Sequence, residues 1–164
     1  MTSTPVVVAD TSPMNYLILI GHAAVLPALF GKVILPTAVR DELTQPKAPV
    51  VVRDWLAQQP SWLEVRPTVQ ADDISLADLD DGERSAILLA MELHADLLLI
   101  DERRAAKIAR SKGFRVAGTL AVLGMAARRE LLSLADAIDR LKRTSFHYRQ
   151  EILDQFLAEQ GGKA

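Results

Sequence analysis

The chain contains no cysteine. That excludes disulfides, thiol catalysis and sulfur-ligated zinc, and it fits a reducing compartment. Its three histidines, His22, His94 and His147, are scattered and give no zinc spacing. No Gly-x-Gly-x-x-Gly is present, and Gly161-Gly162-Lys163 lacks the rest of a phosphate-binding loop. Low-complexity tracts and repeats at solenoid spacing are also missing. A membrane span is excluded too. The most apolar stretch, Met14 to Phe30, is only about seventeen residues long, contains Asn15, His22 and Pro27, and has no basic segment before it. It reads as two short core helices broken near Gly21 and Pro27. The expectation is a cytoplasmic protein whose 164 residues suffice for one well-filled domain.

Two apolar runs each end in a carboxylate. Asp10 follows Val6-Val7-Val8-Ala9, and Asp101 follows Leu97-Leu98-Leu99-Ile100. Such runs read as buried parallel strands that bring an acid to the carboxyl edge of a sheet, where open α/β folds bind ligands. Strands at 6–9, 33–35, 62–65, 97–100 and 115–117 alternate with helical patterns, which predicts a three-layer α/β/α fold with a mainly parallel central sheet. Ser12 reads as a helix cap with Pro13 in the first turn, Thr37 as the cap of a helix through Leu43, and Asp81 as the cap of a helix from Gly82 to His94. Two amphipathic helices, near 134–143 and 148–159, form a C-terminal extension. The expected organisation is a body over 1–130, with 131–164 as helices packed on it.

Four acids stand out. Asp10 needs no capping role, because Thr11 and Ser12 supply hydroxyls. Glu42 shares an apolar stripe with Ala38 and Val39, an unfavourable place for a glutamate without a partner. Glu83 shares a face with Ala86, Ile87 and Ala90. Asp101 matches Asp10 in position, although either Asp101 or Glu102 could be the functional acid and the other the cap of the following helix. Carboxylates that converge repel one another unless a cation joins them, and an all-oxygen set suits Mg²⁺ or Mn²⁺. Such ions can orient a water, lower its pKa and stabilise a phosphoryl transition state. The chemistry indicated is metal-assisted phosphodiester hydrolysis.

Charge is uneven along the chain. Residues 101–150 carry twelve Lys/Arg against five Asp/Glu, whereas the rest carries seven against sixteen. Arg103, Arg104, Lys107, Arg110, Lys112 and Arg115 together point to a polyanion, although each alone reads as a solvated helix face.

In order, Val7-Val8-Ala9-Asp10-Thr11-Ser12-Pro13, Pro36-Thr37-Ala38-Val39-Arg40-Asp41-Glu42-Leu43, Leu79-Asp80-Asp81-Gly82-Glu83 with its helix, Asp96 to Arg103, and Gly118-Thr119-Leu120-Ala121-Val122-Leu123 resemble segments of the PIN-domain superfamily. That is the fold of VapC-type ribonuclease toxins. The similarity covers roughly residues 5 to 130. It implies a metal-dependent ribonuclease with Asp10, Glu42, Glu83 and Asp101 as metal ligands and Ser12 assisting them. It also implies a homodimer and inhibition by a small antitoxin protein. The chain departs from the better-known toxins in carrying Glu83 where they have Asp, and in lacking their Thr-x-Asp turn at the last strand. Two other functions fit the residues: a non-catalytic module binding RNA or protein, and a metal-dependent phosphatase. The phosphatase would want a second Asp where Ser12 stands.

Overall fold

The computed structural model describes residues 4–69 and 73–161. Gly162 and Lys163, and the extreme ends of the two expected segments, lie outside the described residues. Five strands form one sheet: β1 (Val7–Ala9), β2 (Val33–Pro36), β3 (Leu63–Arg66), β4 (Leu97–Leu99) and β5 (Val116–Ala117). Their order is β3-β2-β1-β4-β5, and every pairing is parallel. The chain builds outward from β1 on one side, then crosses back to lay β4 on the other. The crevice at the carboxyl ends of β1 and β4 is therefore a topological switch point, the usual ligand position in such sheets.

Alternating side chains divide the interior in two. Val7, Ala9, Val33, Leu35 and Leu99 enter one core, and Val8, Ile34, Leu98 and Ile100 the other. The first core is filled by α1 (Thr11–Leu19), α2 (Val25–Phe30), α3 (Thr37–Thr44), α4 (Val50–Ala57), α7 (Thr119–Arg128), α8 (Leu134–Lys142) and α9 (Gln150–Gly161). The second is covered by α5 (Asp81–Leu93), α6 (Arg103–Ser111) and a short 3₁₀ turn, Ile74–Leu76. The result is the expected three layers. No helix among the described residues is long and apolar enough to cross a membrane.

Several element ends differ from the sequence expectation. Helix α1 starts at Thr11, so Asp10 holds the capping position and Ser12 lies inside the first turn. The hydroxyls have other partners, described below. The helical break falls at Gly21, in the left-handed region (φ 78°), whereas Pro27 sits inside the first turn of α2. There its missing N–H costs nothing. Pro36, the last residue of β2, takes the capping position of α3, so Thr37 is already helical. Asp80 rather than Asp81 caps α5, because the spacing Asp80-x-x-Glu83 closes a reciprocal capping box.

Both C-terminal helices pack on the body, but unequally. Helix α8 buries Ala137, Ile138 and Leu141 as its stripe requires. Helix α9 buries only Leu153, while Ile152 is 52% exposed and Leu157 is 36% exposed. The apolar stripe that sequence places there, Ile152, Leu153, Phe156 and Leu157, is therefore split between buried and exposed positions, since the outermost helix meets the body along a narrow line.

Candidate metal centre

Asp10 leaves β1 with its backbone N–H donating to the Leu99 carbonyl at 2.9 Å, which pins it at the seam between β1 and β4. It heads α1 without capping it. The side chain is buried, and Oδ1 has no hydrogen-bond partner. A buried carboxylate oxygen left in that state is costly unless protonation or a cation relieves it. Burial is the main reason the Asp10 carboxyl is pushed up to about 7. Repulsion from Asp80, Glu83 and Glu42 adds to it, and a hydrogen bond from the Thr11 backbone opposes it.

The first turn of α1 ties two more acids to this seam. The Thr11 hydroxyl donates to Glu42 Oε2 at 2.7 Å, and the Ser12 hydroxyl donates to Asp101 Oδ2 at 2.6 Å. Glu42 comes from α3 on one side of β1, Asp101 from the end of β4 on the other. Adjacent hydroxyls that could have capped a helix instead orient two carboxylates from distant parts of the chain. Asp101 gains two further donors from the start of α7: the Thr119 N–H to Oδ1 at 2.6 Å and the Thr119 hydroxyl to Oδ2 at 2.7 Å. Three donors fix its plane. Glu102 does something different, for its Oε2 accepts from the Ala105 N–H at 2.7 Å and caps α6. The two neighbours that sequence left interchangeable thus have separate tasks.

Glycine permits the close approach. A Cβ on Gly82 would lie 2.8 Å from Glu42 Oε1, 3.1 Å from Thr11 Oγ1 and 3.2 Å from Asp10 Oδ1. A Cβ on Gly118 would lie 2.7 Å from Asp101 Oδ1. The free oxygens of Asp10 and Glu42 therefore share the space above Gly82, on the first turn of α5. Glu83, the next residue, turns back along its helix. Its Oε1 accepts from the Asp80 N–H at 3.1 Å while its own N–H donates to Asp80 Oδ1 at 2.8 Å. Burial raises the Glu83 carboxyl, helped by repulsion from Asp80, Glu102 and Glu42 and opposed by that backbone bond. Asp10, Glu42 and Glu83 thus lie within one another's field.

Among the described residues, no group of three acids or histidines is drawn together closely enough to hold an ion by protein ligands alone. The donor chemistry nevertheless suits a hard cation. Every donor is an oxygen, one buried oxygen is orphaned, and the space beside it is kept clear by Gly82. Mg²⁺ is commonly held by one or two carboxylates with water completing the shell. The residues that sequence reading passed over as functional are Thr11, Thr119 and Asp80. Thr11 was detectable as a hydroxyl directly after a strand-end acid, and Thr119 as its counterpart in Gly118-Thr119. Asp80 read only as a loop residue before the expected Asp81 cap.

Residues 6–161 match the family model DUF3368, described as a PIN domain. The chain belongs to the PIN-domain family. The match runs through α8 and all of α9, beyond the 5–130 range over which sequence motifs carried the resemblance. Among solved structures, this PIN domain is similar to a PilT N-terminus domain protein from the hyperthermophilic archaeon Sulfolobus solfataricus. The identity is 16%, the alignment covers 87% of this chain and 98% of the other, and the TM-score is 0.49. No curated protein matches the sequence. A PIN domain is a nuclease-like fold, and its members typically use divalent metal ions.

Proposed function

We propose that this PIN domain is a metal-dependent endoribonuclease acting in the cytoplasm as the toxin of a type II toxin–antitoxin pair. Residues 1–130 would form the nuclease body and 131–164 the helices packed on it. The observation that carries the reading is Asp10: a buried carboxylate with a free oxygen, surrounded by other acids, at the switch point of a parallel sheet. Asp10 and Glu42 are the residues that would hold Mg²⁺ or Mn²⁺ directly, with Glu83 and Asp101 completing the acidic wall. Such an ion supplies an activated water and charge neutralisation at the phosphate. Thr11, Ser12 and Thr119 keep Glu42 and Asp101 aimed at the seam. Ser12, one hydrogen bond from Asp101, would also orient the attacking water. Family resemblance adds the small antitoxin and the homodimer as partners.

The decisive experiment is cleavage of unstructured and structured RNAs with Mg²⁺, with Mn²⁺ and with EDTA, running Asp10→Ala beside wild type. The expectation is metal-dependent cutting that falls on the order of 100-fold or more in the variant, the scale of losing a group that stabilises transition-state charge. Equal cutting by both would end the reading. A non-catalytic RNA-binding module is the second reading, favoured by the hydrogen bonds already engaging Asp101 and Glu83. RNA binding without cleavage under any metal would establish it.

A further inference from the structure

A cavity of about 540 Å³ lies toward the amino ends of β1 and β4, beside β5, and is bounded by α7 and α9. Small-molecule sites are commonly of roughly 300–1,000 Å³, mainly apolar, with a few placed polar groups. Here the apolar lining comes from Val7, Phe30 and Leu97, with Met125 of α7 and Phe156 of α9. Gly124 lets α9 come close to α7: a Cβ there would lie 3.1 Å from Phe156 Cζ and 3.2 Å from the Gln160 amide. Phe156 and Gln160 both line the cavity, so helix packing fixes that wall. Two guanidiniums also line it. Arg115, immediately before β5, is exposed. Arg128 is held in place by an amide, its Nη1 donating to Gln160 Oε1 at 2.8 Å. Neither has a carboxylate within 4.0 Å among the described residues. Of the two acids in the lining, Asp96 is engaged by the Val6 N–H, which donates to its Oδ2 at 2.7 Å. Glu159 is exposed near the end of α9, where its carboxylate stays in water.

We propose that this cavity binds a small amphipathic carboxylate, its apolar body against Phe30, Met125 and Phe156 and its charged end drawn to Arg115 and Arg128. The binding site does not depend on the nuclease reading, because the cavity lies toward the opposite end of β1 and β4 from Asp10 and Asp101. Burying the apolar body supplies the driving force. The guanidiniums select an anion, since their planar fork matches a carboxylate with paired hydrogen bonds. Asp96 and Glu159 nearby favour one negative charge over the two of a phosphate monoester, because each added charge on the ligand meets their repulsion.

The test is isothermal titration calorimetry of the full chain with decanoate, decanol and decylammonium, three ligands that share an apolar body and differ in charge. Wild type is expected to bind decanoate at a single site, with decanol on the order of 10-fold weaker and decylammonium weaker still. Arg115→Ala with Arg128→Ala should erase the preference for decanoate over decanol while leaving decanol binding in place. Ala121→Trp puts a large ring into the cavity from an exposed position on α7 and should abolish binding of all three at an unchanged melting temperature. Arg129→Ala, next to Arg128 but outside the lining, serves as the charge control and should bind as wild type. Decanoate binding that survives Ala121→Trp would place the ligand elsewhere and overturn the proposal. Equal binding of decanol, or tighter binding of decylammonium, would overturn the choice of an anion. No binding of decanoate by wild type would overturn the site itself. RNA cleavage enters none of these readouts, so the nuclease reading stands or falls separately.

Discussion

Asp10 carries two opposed demands. Burial, with its acidic neighbours adding to it, makes ionisation expensive in the metal-free protein, yet ionisation is what a bound cation requires. With the native carboxyl at about 7 and an ordinary value of 3.8, the unfolded chain gives up its proton first as pH rises. Stability from this residue is complete below about pH 4 and is lost progressively as pH climbs through 7. The whole span is worth up to roughly 4 kcal/mol at 1.36 kcal/mol per unit. Thermal denaturation in EDTA should therefore show wild type losing most of this stability between pH 4 and 8. Asp10→Asn should remove that loss and melt higher than wild type at pH 8, while losing cleavage. Adding Mg²⁺ at pH 8 should raise the wild-type melting temperature and leave Asp10→Asn nearly unmoved. A variant with the same pH profile as wild type would show that Asp10 is not the strained group.

At the level of elements, the acids are positioned by the first turns of helices rather than by loops. Helix α1 supplies Thr11 and Ser12, α7 supplies Thr119, and α5 supplies the Gly82 gap. Alanine at position 82 would by helix propensity alone be favourable by about 1 kcal/mol. Here the new methyl meets the Glu42 carboxylate, the far end of a flexible side chain, at 2.8 Å. The fold can yield by moving Glu42, so Gly82→Ala should stay within about 1 kcal/mol of wild-type stability while cleavage drops about 10-fold or more. Chemical denaturation and the cleavage assay on one preparation separate the two effects. An active Gly82→Ala enzyme would show that Glu42 need not occupy its observed place.

For the whole molecule, the C-terminal helices belong to the same packing as the sheet. Leu153 is 2% exposed and joins the core that contains Val7 and Leu99. Leu153→Ala should cost about 2–4 kcal/mol, as buried leucines do. Ile152→Ser, one residue away and half exposed, should cost about 0.5 kcal/mol or less. Equal small effects would mean that α9 is a loosely held appendage. A drop in oligomeric state on size-exclusion chromatography with Ile152→Ser would assign that exposed face to a homodimer instead.

The alternation of buried runs and helical patterns determined the layers and the parallel sheet, because strands covered on both faces must be continuously apolar. It also marked Asp10 and Asp101 as strand-end acids, since a carboxylate closing such a run can only emerge at the sheet edge. Helix ends were less legible. Thr11, Ser12 and Thr37 look like caps in sequence, but a hydroxyl's partner is whichever acceptor the fold brings near. Only the tertiary structure placed Glu42 from α3 and Asp101 from β4 against consecutive residues of one helix turn, across sequence separations of 31 and 89. It likewise separated Asp101 from Glu102, which share composition and neighbourhood and differ only in the donors that face them. Periodicity is local and survives in one dimension. The meeting of carboxylates at a switch point depends on strand order, which no single segment encodes.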